Sequence, residues 1–132
     1  MSRGIKISFL FLVLVQGLHS IEEYSGRLWE NFPPARFLCS LFSDNLEQSF
    51  IILNLFLFLF GMLCWLFTFR NKINPAFLWV WIVIEMINGV GHPAWAIYTQ
   101  AYAPGMITSP ILFLLAIYLA RQLMSGRKTG IG

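Results

Sequence analysis

The end of the first apolar run of the sequence carries side chains that can bind a metal or transfer protons. His19, Glu22 and Glu23 close an apolar stretch that begins at Ile5. Spacings of three and four residues place all three side chains on one face of a helix. Ionisable groups within membrane spans are costly, and they usually face a bundle interior, a cavity or one another. The cluster is therefore a candidate functional site.

A second polar stripe lies inside another apolar run, which begins at Phe77. It consists of Glu85, Asn88 and His92. Asn88 follows Glu85 by three residues and His92 follows it by seven, so the three side chains also share one helix face. Glu85 is the one acidic residue in the middle of an apolar run. A carboxylate at that depth is a functional-site hypothesis by default.

The two clusters are expected to lie at the same depth. With a helical rise of about 1.5 Å per residue, His19 lies roughly 20 Å beyond Lys6. On the third span, Glu85 lies roughly 15 Å and His92 roughly 25 Å beyond Pro75. We therefore expect one combined site in the outer half of the membrane.

Two imidazoles and several carboxylates suit a divalent metal such as zinc, iron or manganese. The candidate metal ligands are His19, Glu22, Glu23, Glu85 and His92. Without a metal, the same groups can act as acid and base, and the candidate catalytic residues are Glu22, Glu23, Glu85 and Asn88. A proton relay in a carrier needs the same residue types.

Glycine and proline residues are expected to support this site. Pro93 lacks a backbone N–H and disturbs the carbonyl of Gly89, which predicts a kinked or partly unwound segment beside His92. Pro104, Gly105 and Thr108 lie at the start of the fourth apolar run, near the outer end of the bundle.

Structural interpretations of these residues stay open. Glu22 and Glu23 can mark a helix end at the membrane interface, where charges cost less, with His19 one turn inside. Glu85 can make a structural hydrogen bond to another helix. His92 can satisfy carbonyls that the neighbouring proline leaves free.

Composition indicates a membrane protein. Of the 132 residues, 58% are hydrophobic and only 11% are charged, whereas soluble domains contain about 25% charged residues. The net charge of +3 comes from scattered basic residues, which argues against a nucleic-acid partner and leaves membrane lipids as the expected surroundings.

Four apolar segments are each long enough to span a bilayer, which takes about 20 residues. They cover residues 5–23, 47–69, 75–98 and 104–124, followed by a tail at 125–132. We predict one all-α domain over residues 1–132, an integral membrane four-helix bundle. The sequence does not decide its oligomeric state.

Basic residues predict the orientation of the bundle, because cytoplasmic loops are enriched in Lys and Arg. One side of the predicted bundle carries Arg3, Lys6, Arg70, Lys72, Arg121, Arg127 and Lys128. Both termini are therefore expected in the cytoplasm. The alternative for the first segment is a signal peptide cleaved after Ser20, although Leu18 fits poorly three residues before that site.

The first outer loop, between Tyr24 and Leu46, is too apolar for a plain solvent loop. Pro33 and Pro34 predict a turn that opens a short helix. One face of that helix would carry Phe37, Leu38, Leu41 and Phe42. We expect a partly structured, lid-like loop that lies in the membrane interface or caps the bundle.

The ordered polar motifs resemble those of the HXXEE-domain family of small membrane proteins. The motifs are His19-Ser20-Ile21-Glu22-Glu23, then Glu85, Asn88, Gly89 and His92, then Pro104-Gly105 with Thr108. The resemblance runs from the first span to the start of the fourth. It implies a four-span helical protein of uncharacterised activity, and it supplies no substrate, cofactor or reaction.

The leading functional hypothesis is a membrane-embedded enzyme that acts on a lipid or isoprenoid-like molecule, because hydrocarbon surrounds the site. The first alternative is a carrier or binding protein for a small molecule or a metal ion, which would use the same residues without turnover. The second alternative is a structural membrane protein whose polar groups specify helix pairing.

Overall fold

The protein, described by a computed structural model over residues 1–128, is helical and has no strand in that range. Its helices are α1 (Arg3–Ser25), α2 (Leu28–Asn31), α3 (Pro33–Ser40), α4 (Leu46–Phe69), α5 (Pro75–Thr99) and α6 (Ser109–Lys128). The helices α1, α4, α5 and α6 are long and apolar enough to span a membrane. The predicted all-α four-helix bundle is confirmed.

Three of the long helices begin directly after a polar residue whose side-chain oxygen caps the helix. The Ser2 hydroxyl accepts from the amide of Ile5, and the Asn45 side chain accepts from the amide of Gln48. Asn74 caps α5 in the same way, directly before Pro75. Each cap satisfies an amide that the helix leaves without a partner, and proline fits the first helical position.

The long helices pack in the order α4, α1, α6, α5, so that α4 and α5 are the two ends of the row. The hydrophobic core lies between them, where Phe9 of α1 contacts Trp81 of α5 edge to face at 6.0 Å between ring centroids. Leu12 and Leu112 are fully buried in the same core. This core fixes the relative positions of α1 and α5, the two helices that carry the polar clusters.

One end of the bundle brings the chain start, the α4–α5 turn and the last turns of α6 together. The amino group of Met1 donates to the Asn71 side chain at 3.1 Å. Gly4 lies against the Gln122 side chain. We call this the basal end, and the opposite end, with residues 26–45 and 100–108, the distal end. The side of the membrane that each end faces stays a prediction.

Two helices differ from the sequence-based expectation. Helical structure continues through Gly89 to Pro93, so the partly unwound segment expected beside His92 is wrong, while the alternative, a kink, stays a prediction. The fourth helix begins at Ser109 and not near Pro104, because residues 102–108 form a turn in which Gly105 has a φ of +91°. The turn places backbone amides, not a helix face, beside the polar clusters.

The first distal connection contains the short helices α2 and α3 and lies on α4. Trp29 packs against Phe50 at 4.9 Å between ring centroids, and Cys39 is buried beside them. The apolar side chains of Phe37 and Phe42 remain about two-thirds exposed at 66% and 64%. The expected short helix is present, and its role as a lid stays a proposal.

Candidate functional site

His19, Glu23 and His92 converge in the distal half of the bundle. Glu23 Oε1 lies 3.3 Å from His19 Nε2 and 3.1 Å from His92 Nε2. His19 and Glu23 are one turn apart on α1, and His92 comes from α5. All three side chains are buried, and one ligand atom from each lies within 4.8 Å of the other two. The two sequence clusters thus meet in space.

The Nε2 atom of His19 is the unusual atom of this cluster. It is buried and has no hydrogen-bond partner of acceptable geometry, although Glu23 Oε1 lies 3.3 Å away. The two imidazole rings stand nearly perpendicular, at 84°, with centroids 4.7 Å apart. Buried polar atoms almost always have partners. An unpaired nitrogen that faces a carboxylate and a second imidazole fits a site for a cation.

Gly105 seals the cluster from the distal end. A Cβ atom at this position would lie 2.6 Å from Cε1 of His19 and 2.8 Å from Cε1 of His92. Its φ of +91° also belongs to a region that residues with side chains rarely adopt. Only glycine therefore lets the 102–108 turn lie directly on both imidazole rings.

Glu22 anchors the 102–108 turn, unlike its neighbour Glu23, which faces the two histidines. Its carboxylate accepts hydrogen bonds from the Tyr102 hydroxyl, the amides of Ile107 and Thr108, and the Thr108 hydroxyl. Glu22 and Glu23 are adjacent on α1, so they point in directions about 100° apart. One carboxylate fixes the turn while the other faces the two histidines.

The 102–108 turn also orients His19. The Thr108 hydroxyl lies 2.6 Å from Glu22 Oε2 and 2.7 Å from His19 Nδ1. Because its single hydrogen goes to the carboxylate, the hydroxyl accepts from Nδ1–H of His19. In the neutral imidazole this leaves the Nε2 lone pair facing the cluster. A hydrogen bond to the remote nitrogen that fixes the ligating one is typical of metal-bound histidine.

Glu85 lies on α5 seven residues before His92 and is fully buried. Asn88 donates to Glu85 Oε2 at 3.2 Å. In the amide orientation that satisfies both side chains, Gln16 of α1 donates to Oε2 at 2.9 Å and Oε1 at 3.1 Å. Two amides therefore hold the Glu85 carboxyl, and it is not one of the three groups of the His19–Glu23–His92 cluster.

Sequence reasoning missed Gln16 and Tyr102. Gln16 had a detectable signal, because it precedes His19 by three residues and shares its helix face. Tyr102 had none, since its bond to Glu22 depends on the turn geometry. Partial burial and the bond to the Glu22 carboxylate raise the pKa of the Tyr102 phenol to about 12.

The supporting glycines and prolines take structural positions around the cluster. A Cβ atom on Gly89 would lie 2.4 Å from Cβ of Phe113, so Gly89 permits close packing of α5 and α6. Pro104 packs against Gly26. Both contacts fix the elements that carry His92 and the 102–108 turn.

A cleft of about 520 Å³ leads from the cluster to the surface between α4 and α5. Glu23, His92, Asn88 and Gln16 form its polar end. The volume falls within the range of about 300–1,000 Å³ typical of small-molecule sites. The His–Glu cluster is thus reachable from the side of the bundle.

Four apolar helices around a buried His–Glu cluster define a protein of the multi-pass membrane class. Residues 10–120 match the model of the HXXEE family, described as "Protein of unknown function with HXXEE motif". The chain belongs to this family, as its motifs suggested. No curated protein and no solved structure matches the chain.

Proposed function

We propose that this protein is a membrane-embedded enzyme whose centre is a divalent-metal site formed by His19, Glu23 and His92, and that its substrate is lipid-like. One observation carries the proposal. Two buried imidazole Nε2 atoms face the same carboxylate oxygen at 3.3 and 3.1 Å, and one of them lacks any hydrogen-bond partner.

The spacing of these atoms supports a metal. Ligands about 2.0–2.2 Å from a tetrahedral zinc ion lie roughly 3.3–3.6 Å from one another. The two nitrogen–oxygen pairs, at 3.3 and 3.1 Å, are close to that spacing, and the two imidazole nitrogens lie within 4.8 Å of each other. Two histidines and one carboxylate are also the ligand set of catalytic zinc and of non-haem iron(II) sites, which leave coordination positions open for substrate.

The surrounding residues have separate roles in this proposal. A divalent metal would supply Lewis-acid chemistry at the end of the cleft. Thr108 and Glu22 orient His19, while Glu85 holds Gln16 and Asn88, whose side chains line the cleft. Asn88 and Glu23 are then the groups nearest to a bound molecule, and Glu85 is a positioning residue behind them.

The first test is the metal content of the full chain purified in detergent, measured by elemental mass spectrometry. We expect about one equivalent of zinc, iron or manganese, and its loss in His19→Ala, His92→Ala and Glu23→Gln. Glu47→Gln, an exposed carboxylate on α4, is the matched control and should keep the metal. Metal-free wild-type protein with an intact fold would overturn the proposal.

A second measurement separates an enzyme from a carrier or a binding protein. Membranes containing wild type or Glu23→Gln are incubated with a lipid extract, and the lipids are compared by liquid chromatography and mass spectrometry. An enzyme changes the mass of at least one lipid in the wild-type sample only. Bound metal without any chemical change would instead favour a carrier or binding protein.

A further inference from the structure

The cleft between α4 and α5 is open in one half of the bundle only. These helices are the two ends of the packed row, and they share no extended interface along the described chain. Toward the basal end, Phe60 of α4 stacks on Trp81 of α5 at 6.4 Å between ring centroids and closes the gap. In the distal half the helices separate, and the gap opens at the level of the His–Glu cluster.

The walls of this cleft are apolar. Leu53, Phe56 and Leu57 line it from α4, and Ile84 and Ile87 line it from α5. Over it lie Phe32, Ala35 and Leu38 of the α2–α3 connection. Phe56 and Ile87 are mainly exposed, at 68% and 64%, on helices that would face hydrocarbon. A molecule can therefore pass from the bilayer core to the site without crossing water.

Charge in the cleft limits the head group of its occupant. The ionisable groups in its wall are Glu23, His92 and the thiol of Cys39, and none of the Lys or Arg side chains that the structure describes lines it. Phosphate and carboxylate ligands are normally held by Arg or Lys. Glu23, the carboxylate of the cluster, would already offset part of the charge of a divalent ion bound there. A phosphate or diphosphate head would therefore lack the cationic partners it needs.

The size of the cleft limits the number of chains. About 520 Å³ matches one drug-sized molecule, with room for a head group and part of one alkyl chain. Glu23, His92 and Asn88 line the cleft at the cluster, where Asn88 can hydrogen-bond a head group and the proposed metal can bind its oxygen. Asn54 of α4 also lines the cleft, but its amide is already bonded to Ser20 and to the Phe50 carbonyl. The open end meets hydrocarbon, so the rest of the chain can remain in the bilayer.

We propose that the substrate is a single-chain lipid with an uncharged oxygen-bearing head, such as a long-chain or isoprenoid alcohol or aldehyde, which enters laterally between α4 and α5. This inference rests on the proposed function, because the head group is expected to bind at the proposed metal site. The same geometry excludes phospholipids and prenyl diphosphates as the preferred occupants.

The experiment uses photoreactive alkyl probes on the full chain in lipid nanodiscs. One probe is a long-chain alcohol with a diazirine and an alkyne, the second is the same chain ending in phosphate, and the third is a two-chain phosphatidylcholine. Crosslinks are located by mass spectrometry. We expect the alcohol to label residues 53–57 and 84–88 more strongly than the other two probes.

A matched pair of variants tests the route. Ile87→Trp fills the cleft mouth, and we expect it to reduce alcohol labelling by about tenfold or more, the effect of changed bulk in an apolar pocket. Val90→Trp, an equally exposed position on α5 that does not line the cleft, should leave labelling unchanged. Both variants should keep their bound metal.

The outcomes separate the two proposals. Metal-loaded protein that prefers the phosphate or two-chain probe, or that the alcohol does not label, overturns the substrate inference and leaves the metal site standing. Equal loss of labelling in Ile87→Trp and Val90→Trp also overturns it. Absence of metal in the same folded sample overturns the proposed function itself.

Discussion

Thr108 contacts His19 on the side of the imidazole opposite to Glu23, although 89 residues separate them in the chain. The Thr108 hydroxyl lies 2.7 Å from Nδ1 of His19, and Glu23 Oε1 lies 3.3 Å from Nε2 of the same ring. The ring is therefore held at Nδ1, whereas its Nε2 faces the Glu23 carboxylate without a hydrogen bond of acceptable geometry. Glu22 accepts the Thr108 hydrogen at 2.6 Å, so it is linked to Nδ1 of His19 through the hydroxyl, while Glu23 faces Nε2 of the same ring.

Removing the Thr108 hydroxyl should weaken metal binding without removing a ligand. In Thr108→Val the Nδ1–H of His19 loses its acceptor, and the imidazole is free to rotate or change tautomer. Loss of such an outer contact typically lowers metal affinity by about 10–100-fold. Competition with a chelator of known affinity, followed by elemental analysis of the protein, measures the change.

Thr108→Ser is the control, because it keeps the hydroxyl and removes only a methyl group. Its metal affinity should stay close to that of wild type. Equal weakening in the Val and Ser variants would mean that packing, and not the hydrogen bond, explains the effect.

Gly105→Ala should disrupt the same site by steric means. Alanine adds a Cβ 2.6 Å from the His19 ring and must adopt a φ of +91°. Backbone strain of this kind costs about 1–3 kcal/mol, and the displaced imidazoles should also bind metal less well. Thermal unfolding in detergent and metal content are the two measurements.

Gly91→Ala is the matched glycine control on α5. Nothing lies within 4 Å of a Cβ built at Gly91, and the position is helical. Alanine there should stabilise the helix by roughly 0.5–1 kcal/mol. If both variants kept normal stability and metal content, the close packing of Gly105 on the histidines would be unimportant.

Much of the fold was predictable because apolar composition and helical periodicity are local properties. The span bounds near Glu23, Phe69 and Tyr98 agree with the helices within two residues. The meeting of His19 with His92 followed from matched depth along two helices. The turn before Ser109 was not predicted, because its backbone-amide contacts with Glu22 come from a residue 85 and more positions away in the chain.

The different contacts of Glu22 and Glu23 also could not be predicted from local sequence. Sequence spacing placed Glu22 and Glu23 on one polar face, but it could not tell which carboxylate meets His92. That depends on how α1 is rotated within the bundle, where its Phe9 is buried in the core shared with α5 and α6. The sequence pattern identifies the candidate site residues, and helix packing determines which of them contact one another.

Tyr102 should titrate abnormally late in the folded protein. Its phenol pKa is raised from 10.0 to about 12 by partial burial and by the bond to Glu22. Ultraviolet absorbance titration, with Tyr102→Phe as the difference reference, measures this pKa. In Glu22→Gln the pKa should fall toward 10, because the negative charge that opposes phenolate formation is gone.

The sign of the stability effect follows from the same shift. A pKa that is higher in the folded than in the unfolded state stabilises the fold below pH 10, and this contribution is lost as pH rises toward 12. Wild type should therefore lose more stability than Tyr102→Phe between these pH values. Identical alkaline losses in the two proteins would contradict the Tyr102–Glu22 bond.

The predicted orientation places both termini in the cytoplasm. Cys39 and Cys64 are buried and free, so they can be replaced by alanine to give a cysteine-free background. In intact cells or sealed vesicles of known sidedness, Ser43→Cys should react with an impermeant maleimide from outside. Lys72→Cys should react only after the membrane is opened. The reverse labelling pattern would show that the bundle is inverted.

Glu23 and Glu85 should respond differently to the same substitution. Glu23→Gln removes an anionic oxygen that lies within 3.3 Å of both imidazole Nε2 atoms, so metal affinity should fall by more than the roughly 10–100-fold typical of an outer contact. Glu85→Gln preserves size and can still bond the amides of Gln16 and Asn88. Its metal content should remain near that of wild type. Lipid turnover should fall, because the side-chain amides of Gln16 and Asn88 in the cleft are reoriented.

These variants also separate the proposed enzyme from a structural protein. If the polar groups only specified helix pairing, Glu85→Gln would lower the unfolding temperature and Glu23→Gln would do the same, with no difference in metal content between them. Retained stability in Glu85→Gln together with lost turnover supports the enzyme. Because Gln16 and Asn88 both bond Glu85, the Asn88→Ala variant should reproduce the turnover defect, and normal turnover in it would exclude the cleft amides from the reaction.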